Sequence, residues 1–186
     1  MEIKTFEPYL FYKEYPFIKS LLLQLTNLSK VAVIAGGCPR DIYLDCPFSD
    51  IDIYVSHECH FVDVTNLLCS MPEVTHVNLQ VGDRLPPQYK AEHITAVISF
   101  EAKGLPFQVV ITNRRSFDSI LDTFAINLSK FYFEEKNIKY TETAGRDLYK
   151  KTITVNPRIN VNPSYLHKII KKFPDYEVIN ESPLPF

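Results

Sequence analysis

The chain has 186 residues, 46% of them hydrophobic and 13% aromatic, which is enough to bury one substantial core but few for two independent domains. Its formal net charge of -2 and its pI of about 6.2 exclude a globally basic nucleic-acid-binding protein, so any RNA or DNA contact has to be regional. No apolar run approaches the roughly 20 residues that span a bilayer, and the N-terminus lacks the apolar region of a signal peptide, so we expect a cytoplasmic protein without membrane contact.

The first third of the chain predicts two helices and two strands around a glycine pair. Apolar residues recur every three or four positions over residues 14–29, EYPFIKSLLLQLTNLS, as in an amphipathic helix. The apolar run KVAVIAGG, residues 30–37, is typical of a buried strand that enters a tight turn. Residues 38–45, CPRDIYLD, fit a short helix, whereas SDIDIYVS, residues 49–56, alternates in the way of a strand with one acidic and one buried face.

Strands and helices also alternate in the rest of the chain. The predicted strands are 74–81, 93–100, 105–112, 125–133 and 138–142, and the predicted helices are 60–71, 116–124, 144–151 and 162–173. The Gly- and Pro-containing segment 81–93 is predicted to be a surface loop, and 174–186 an irregular tail. Together these elements predict an α/β or α+β fold with a mixed central sheet flanked by helices.

The cysteines and histidines give only weak indications of disulfide bonds or of a zinc site. Cys38, Cys46, Cys59 and Cys69 contain no CxxC pair, so we expect four reduced thiols. His57, Cys59 and His60 lie within four positions and all three side chain types bind zinc, but no second ligand pair follows at zinc-finger distance. A polar turn after a strand is the favoured interpretation of that cluster.

An Asp-x-Asp pair lies on the acidic face of the predicted strand 49–56. Side chains at positions i and i+2 of a strand point the same way, so Asp50 and Asp52 can converge on one metal centre. Carboxylate oxygens are the ligands of hard cations such as Mg²⁺, and such ions align and neutralise a triphosphate during nucleotidyl transfer. Taken alone, the pair is more often a solvated strand edge.

A phosphate loop is predicted just upstream. Gly36 and Gly37 lie where a strand enters a helix, and glycines there let backbone N–H groups approach phosphate oxygens. Arg40 can form two parallel hydrogen bonds to a phosphate, and Asp41 can hold Arg40 or the loop in place. A Gly-Gly pair alone is usually an ordinary turn, so the prediction depends on the order of all the parts in GGCPRDIYLDCPFSDIDIYV.

This order of motifs resembles the head domain of DNA polymerase beta-like nucleotidyltransferases, in particular of CCA-adding enzymes and bacterial poly(A) polymerases. FAINLSKFYF is similar to a family strand that carries an Ile-Asn pair, and AGRDLYKKTITV is similar to a later Gly-x-x-Asp-Leu segment. Compact proteins encoded by bacteriophages look similar as well. The matching blocks cover about residues 31–155.

The resemblance implies the nucleotidyltransferase fold and Mg²⁺-dependent (or Mn²⁺-dependent) transfer of a nucleoside monophosphate from an NTP to a hydroxyl acceptor, an RNA. From the length of the chain we expect one compact domain with terminal appendages: a helical segment at 1–29 and a C-terminal helix with its tail at 157–186. The resemblance makes the part between them, 30–156, the nucleotidyltransferase-like domain. Gly145 and Asp147 would be structural. The implied metal ligands are Asp50 and Asp52, and the implied nucleotide contacts are Gly36, Gly37, Arg40, Asp41, Gln108 and Asn127.

The sequence departs from the family pattern at three places. The third carboxylate, expected on the strand 105–112, is replaced by Gln108, whose amide brings no negative charge. The Arg-Arg-Asp before the Ile-Asn strand is replaced by residues 120–123, ILDT, and the base-selecting motif of the neck is missing from 162–173. Synthesis of a CCA sequence is therefore unsupported.

Two further functions stay open for these reasons. The first is a catalytically degenerate protein of the same fold that binds a nucleotide or a protein partner and regulates another protein. The second is a nucleotidyltransferase that modifies proteins, ranked lower because such enzymes usually carry Gly-Ser at the loop.

Lysines are concentrated near the C-terminal end of the chain. The favoured interpretation is the solvated face of an amphipathic helix, and the alternative is a contact for an RNA acceptor. The lysines concerned are Lys150, Lys151, Lys168, Lys171 and Lys172.

Overall fold

The centre of the protein is a five-stranded mixed sheet. The computed structural model describes residues 8–134, 137–159 and 161–180. The five strands are β1 (Ala32–Ile34), β2 (Ile51–Val55), β3 (Val74–Val81), β4 (Ile94–Ala102) and β5 (Leu105–Thr112). They are ordered β1-β2-β5-β4-β3, and β2 runs parallel to β5 while the other neighbours are antiparallel. This mixed sheet confirms the predicted fold class.

Seven helices accompany the sheet in the described part of the chain. They are α1 (Pro8–Glu14), α2 (Pro16–Leu28), α3 (Gly37–Tyr43), α4 (Phe61–Ser70), α5 (Phe117–Leu121), α6 (Glu142–Lys150) and α7 (Pro163–Lys172). The buried face of α2 presents Leu21 and Leu25 to the same apolar core as Val64 and Leu68 of α4. No described helix has the length and apolar character needed to cross a membrane.

The period-two pattern of β2 decides which face of the sheet meets this core. Ile51, Ile53 and Val55 are fully buried in it, whereas Asp52 and Tyr54 are half-buried on the opposite face. Successive side chains of a strand point to opposite faces, so the acidic side chain is turned away from α2 and α4. The predicted division of this strand into a buried and an acidic face is confirmed.

The predicted strand 125–133 is wrong in its first half. A 3₁₀ turn at Asn127–Ser129 interrupts it, and β6 (Phe131–Glu134) begins only afterwards and pairs with β7 (Asn137–Tyr140). The turn is closed by hydrogen bonds from Ser129 N to Ile126 O and from Lys130 N to Asn127 O, both 2.9 Å. Leu128 packs in the apolar cluster that contains Ile169 and Phe173, whereas Phe131 packs against the ring of Tyr43.

The predicted irregular tail is also wrong over four residues. β9 (Glu177–Asn180) pairs in parallel with β8 (Thr152–Val155), and Glu177 N donates to Lys151 O at 2.9 Å. All four residues of β9 are exposed, so the sequence shows no apolar alternation there, and the free edge of β8 supplies the partner. Residues 181–186 of the predicted tail lie outside the described part of the chain.

Asp147 fixes the start of β8 below α6. Its buried carboxylate accepts hydrogen bonds from Thr152 Oγ1 at 2.9 Å, Thr154 Oγ1 at 2.7 Å and Thr154 N at 2.8 Å. On the same helix, a Cβ added to Gly145 would lie 2.8 Å from the Tyr140 ring. Both residues therefore have the contacts that a structural role requires.

Replacing Asp147 with Ala should lower the free energy of unfolding by about 2–4 kcal/mol, because three donors lose their buried acceptor. Urea unfolding monitored by circular dichroism measures the change. The matched control is Asp175→Ala, since Asp175 is exposed and its loss should change stability by less than about 0.5 kcal/mol. Equal losses in the two variants would contradict the assigned role of Asp147.

Candidate active site

A cavity of about 340 Å³ lies between the acidic face of the sheet and α7. Its walls come from the turn before α3, from β2, from residues 89–94, from residues 123–126 and from α7. Six of the residues proposed from the sequence line it together: Gly36, Gly37, Arg40, Asp41, Asp50 and Asp52. The predicted phosphate loop and the predicted metal ligands therefore share one pocket.

The glycine turn lies directly beside the carboxylates. Gly36 has a φ of 99°, which favours glycine, and a Cβ at this position would lie 3.7 Å from Asp52 Oδ2. Its N–H donates to Phe131 O at 2.9 Å, which ties the turn to the β6 hairpin. Gly37 is the first residue of α3, where helix geometry gives its N–H no intrahelical acceptor, so this N–H is the better placed of the two for a ligand.

Asp50 and Asp52 lie close together as like charges, and Asp52 is poorly solvated. Burial and the charge of Asp50 raise the pKa of the Asp52 carboxyl to about 7, although a hydrogen bond from Tyr89 and the charge of Lys168 act in the opposite direction. Asp50 Oδ1 accepts a hydrogen bond from Ser49 Oγ at 2.7 Å. Two carboxylates held in this way are stabilised by a cation, and oxygen donors suit Mg²⁺ or Mn²⁺.

Tyr89 is a site residue that the sequence did not reveal, because segment 81–93, predicted to be a surface loop, is largely exposed and turns only a few of its side chains inward. The segment forms two 3₁₀ turns that bury Leu85 and Tyr89, which are 7% and 8% exposed. Tyr89 Oη lies 2.7 Å from Asp52 Oδ1 and 3.0 Å from Gln108 Oε1. Burial and the Asp52 charge hold the pKa of Tyr89 well above its usual value, so its hydroxyl is a neutral donor.

Arg40 is buried against the cavity and held by Asp41. Its Nε and Nη2 atoms lie 2.8 Å and 2.7 Å from Asp41 Oδ1, and its guanidinium stacks 5.2 Å from the centre of the Phe173 ring. Its Nη1 atom is buried without a hydrogen-bond partner. A buried donor left unpaired beside a cavity is a candidate contact for an anionic ligand.

Lys172 does not belong to a solvated face, in contrast to the favoured prediction for the C-terminal lysines. Its Nζ atom donates to Asp41 Oδ2 at 2.5 Å and to Pro47 O at 2.8 Å. The side chain of Lys172 therefore joins the end of α7 to α3. Lys150, Lys151, Lys168 and Lys171 are exposed, as the prediction requires.

α7 forms the wall opposite the carboxylates and begins at a capped end. The Asn162 side chain accepts a hydrogen bond from Ser164 N, which defines the first turn. One turn on, the Tyr165 hydroxyl lies 2.6 Å from Ser129 Oγ, and Lys168 Nζ donates to Ser49 Oγ at 3.3 Å. Lys168 thus brings a positive charge to the carboxylate end of the cavity.

The other two predicted nucleotide contacts are not on the cavity wall. Gln108 is paired with Asp52 across β2 and β5, but Tyr89 covers it. Gln108 is therefore not among the residues that line the cavity. Asn127 is 7% exposed within its 3₁₀ turn, and its neighbours Ile126 and Ser129 line the cavity instead. A contact between Asn127 and a nucleotide stays a prediction without support from its position.

The His57, Cys59 and His60 cluster forms a polar turn, as favoured. His60 Nδ1 accepts a hydrogen bond from Val62 N at the start of α4, and Cys59 is 5% exposed in the core. Within the described residues, no group of three or more His, Cys, Asp or Glu side chains is placed to hold a metal ion. The four cysteines are free thiols.

The architecture recurs in solved enzymes. The chain aligns with a Thermotoga maritima CCA-adding enzyme complexed with tRNA at a TM-score of 0.58 and 16% identity, over 95% of this chain and 41% of that one. The chain has the nucleotidyltransferase fold. A CCA-adding enzyme in complex with ATP aligns at a TM-score of 0.55 and 15% identity, over 94% of this chain and 43% of that one.

A tRNA-processing enzyme in an apo form aligns at a TM-score of 0.51 and 19% identity, over 75% of this chain and 36% of that one. The chain thus spans less than half the length of these enzymes of the nucleotidyltransferase fold. No family model and no curated protein matches the sequence.

Stability of the metal-free protein should fall as pH rises from about 4 to about 7. The folded-state pKa of Asp52 is raised from 3.8 to about 7, so in this window the folded state binds more protons than the unfolded state. Above pH 7 the ionised carboxylate should lower stability by about 1–3 kcal/mol. Asp52→Asn should then be more stable than the wild type at pH 8 and equal to it near pH 4.

Denaturant unfolding in EDTA at the two pH values measures this difference. Asp83→Asn is the matched control, because Asp83 is exposed in a 3₁₀ turn and should change stability equally at both pH values. A variant no more stable than the wild type at pH 8 would show that Asp52 ionises without penalty.

Proposed function

We propose that the chain is a Mg²⁺-dependent nucleotidyltransferase that transfers a nucleoside monophosphate from an NTP to a hydroxyl acceptor on RNA. The observation that carries the proposal is the single cavity that joins the glycine turn, Arg40 and the carboxylate pair. A triphosphate placed over the glycine turn would reach both other groups, because a Cβ added at Gly36 would lie 3.7 Å from Asp52 Oδ2 and one added at Gly37 would lie 3.5 Å from Arg40 Nη2. No other part of the described chain combines these three elements.

Arg40 and Asp41 would hold the triphosphate in position. The Nη1 atom of Arg40, which has no hydrogen-bond partner, is a donor available to an anion in the cavity, and the bonds to Asp41 fix the orientation of the planar guanidinium. Lys172 holds Asp41 from the other side. The pair of charge-assisted bonds would therefore spare the ligand the entropy loss of ordering a flexible arginine.

Asp50 and Asp52 would hold Mg²⁺ or Mn²⁺, which would supply charge neutralisation to the triphosphate when bound. The fit rests on the donor set: two carboxylates beside each other, one of them with a raised pKa and an oxygen turned toward the glycine turn. Lys168 lies at the same end of the cavity and would offset further negative charge. These groups would orient the phosphates at that end of the cavity.

An apolar part of the same cavity suits a ribose or a base. Tyr54 packs on Phe124 with ring centroids 4.9 Å apart, and Ile94 and Ile126 extend this surface. Stacking on such a surface does not distinguish bases by hydrogen bonding, so it fits any of the common NTPs. The RNA acceptor is supported by the resemblance of the motifs and by a similarly folded enzyme that was solved with tRNA.

A second candidate function is a nucleotide-binding regulator without transferase activity. Gln108 favours it, because an amide stands beside Asp52 where catalysis calls for a third carboxylate. Calorimetry with NTP separates the two functions, since a regulator would take up NTP, or a protein partner, and release no pyrophosphate. Labelling of proteins in a lysate, without labelling of RNA, would instead indicate a protein-modifying nucleotidyltransferase.

Incubation with labelled ATP or CTP, Mg²⁺ or Mn²⁺ and mixed RNAs should transfer label to RNA. Asp50→Ala and Asp52→Ala should each lower the rate by at least about 100-fold while the fold is retained, because each removes a ligand of the charge-neutralising ion. Asp83→Ala, which removes an exposed carboxylate outside the cavity, is the control. Full activity in either cavity variant, or silence of a folded wild type with every nucleotide and acceptor, would exclude this function.

A further inference from the structure

We propose that Tyr89 and Gln108 limit the Asp50–Asp52 pair to one divalent cation, whereas two-metal nucleotidyl transfer uses two. The inference rests on the proposed function, because it concerns the ion that would accompany the triphosphate. The relevant contacts lie on the side of Asp52 that faces away from the glycine turn. Asp52 and Gln108 are paired in register across the parallel strands β2 and β5, so their side chains extend from the same face of the sheet.

The hydroxyl group of Tyr89 occupies the space between these two side chains. Its oxygen lies 2.7 Å from Asp52 Oδ1 and 3.0 Å from Gln108 Oε1. Mg²⁺ binds oxygen at about 2.1 Å, so a second ion shared by Asp52 Oδ1 and Gln108 would need the volume that this oxygen fills. At 8% exposure, Tyr89 is packed in its apolar cluster with Leu85, Val97 and Val110 and cannot leave without exposing that cluster.

Hydrogen-bond chemistry also argues against a cation at this position. Tyr89 has one hydroxyl proton, which serves Asp52 at the shorter distance. A complete set of bonds then needs the Gln108 amide to present its N–H₂ group to Tyr89 Oη, since the oxygen and nitrogen positions of an amide interchange by a half-turn. N–H donors that point into the space between Asp52 and Gln108 would repel a cation there. The amide also lacks the negative charge that a third carboxylate would bring.

The other side of the pair is still able to hold one ion. Asp52 Oδ2 faces the glycine turn, and Asp50 uses one carboxylate oxygen to accept from Ser49. The free Oδ2 atom of Asp52 thus lies on the side of the glycine turn, where the triphosphate would enter, and the second oxygen of Asp50 is not used by Ser49. One ion at this position would be bound together with the NTP. The acceptor hydroxyl would then receive no metal ion from the Asp50–Asp52 pair. We therefore expect high affinity for NTP and a low rate of transfer.

Counting bound Mn²⁺ per chain tests the proposal directly. Calorimetry and the loss of the free-ion electron paramagnetic resonance signal are measured with a non-hydrolysable NTP present, after subtraction of the Mn²⁺ held by NTP that is not bound to the protein. The wild type should bind one Mn²⁺ per chain. The variant Tyr89→Phe/Gln108→Glu removes the hydroxyl group and adds a carboxylate of nearly the same shape as the amide, so it should bind two.

A matched control changes the same residue types away from the cavity. Tyr149→Phe/Gln24→Glu serves this purpose, because Tyr149 is 88% exposed and Gln24 lies on α2. It should bind one Mn²⁺. If transfer is measurable, the Tyr89→Phe/Gln108→Glu variant should also be faster than the wild type by about tenfold or more.

Two ions bound to the wild type would overturn the proposal, and this count decides the matter even where a variant unfolds. One ion bound to a folded Tyr89→Phe/Gln108→Glu variant would overturn it as well, since the hydroxyl group and the amide would then not be what limits the site. No ion bound to the wild type, or one ion that persists in Asp52→Ala, would instead remove the proposed function.

Discussion

The buried carboxylate of Asp41 is the interaction on which the cavity depends. One of its oxygens binds Arg40 and the other binds Lys172, so a single side chain joins α3 to the end of α7. Breaking a buried ion pair by removing one partner costs about 3–5 kcal/mol, because the remaining charges lose their counterion. Without Asp41, two cations would repel each other at this point, and the helix that faces the carboxylates would lose its anchor.

The part of the cavity that carries Asp50 and Asp52 has the opposite electrostatic problem, which is repulsion between negative charges. Asp50 and Asp52 carry the same charge close together, and the burial of Asp52 beside Asp50 raises the pKa of Asp52 to about 7. A bound cation would relieve this repulsion, and the positive charge of Lys168 on α7 acts on Asp52 in the same direction. Arg40 lines the same cavity, which therefore presents both signs of charge to a ligand.

Local patterns in the sequence were sufficient to predict the parts of the site that are close along the chain. The alternation in β2, the glycine pair and the Arg-Asp pair each carry their meaning within a few residues. Tyr89 and β9 were missed because their partners are distant: Tyr89 binds Asp52 across 37 positions, and β9 pairs with a strand some 25 positions away. Gln108 was recognised as a departure, but the sequence could not show which residue covers it.

The covered Gln108 connects the two functions that the sequence left open. Loss of catalysis alone would not require a side chain in the space beside Asp52, since the Gln108 amide and a water molecule could fill it. Tyr89 instead donates a hydrogen bond from its buried hydroxyl to Asp52 Oδ1 and leaves Oδ2 facing the glycine turn. In the proposed function, this arrangement would keep the Asp52 carboxylate oriented for a cation that arrives with a triphosphate, while Oδ1 would not be available to a second ion. Nucleotide binding and slow transfer would then be two consequences of one hydrogen bond.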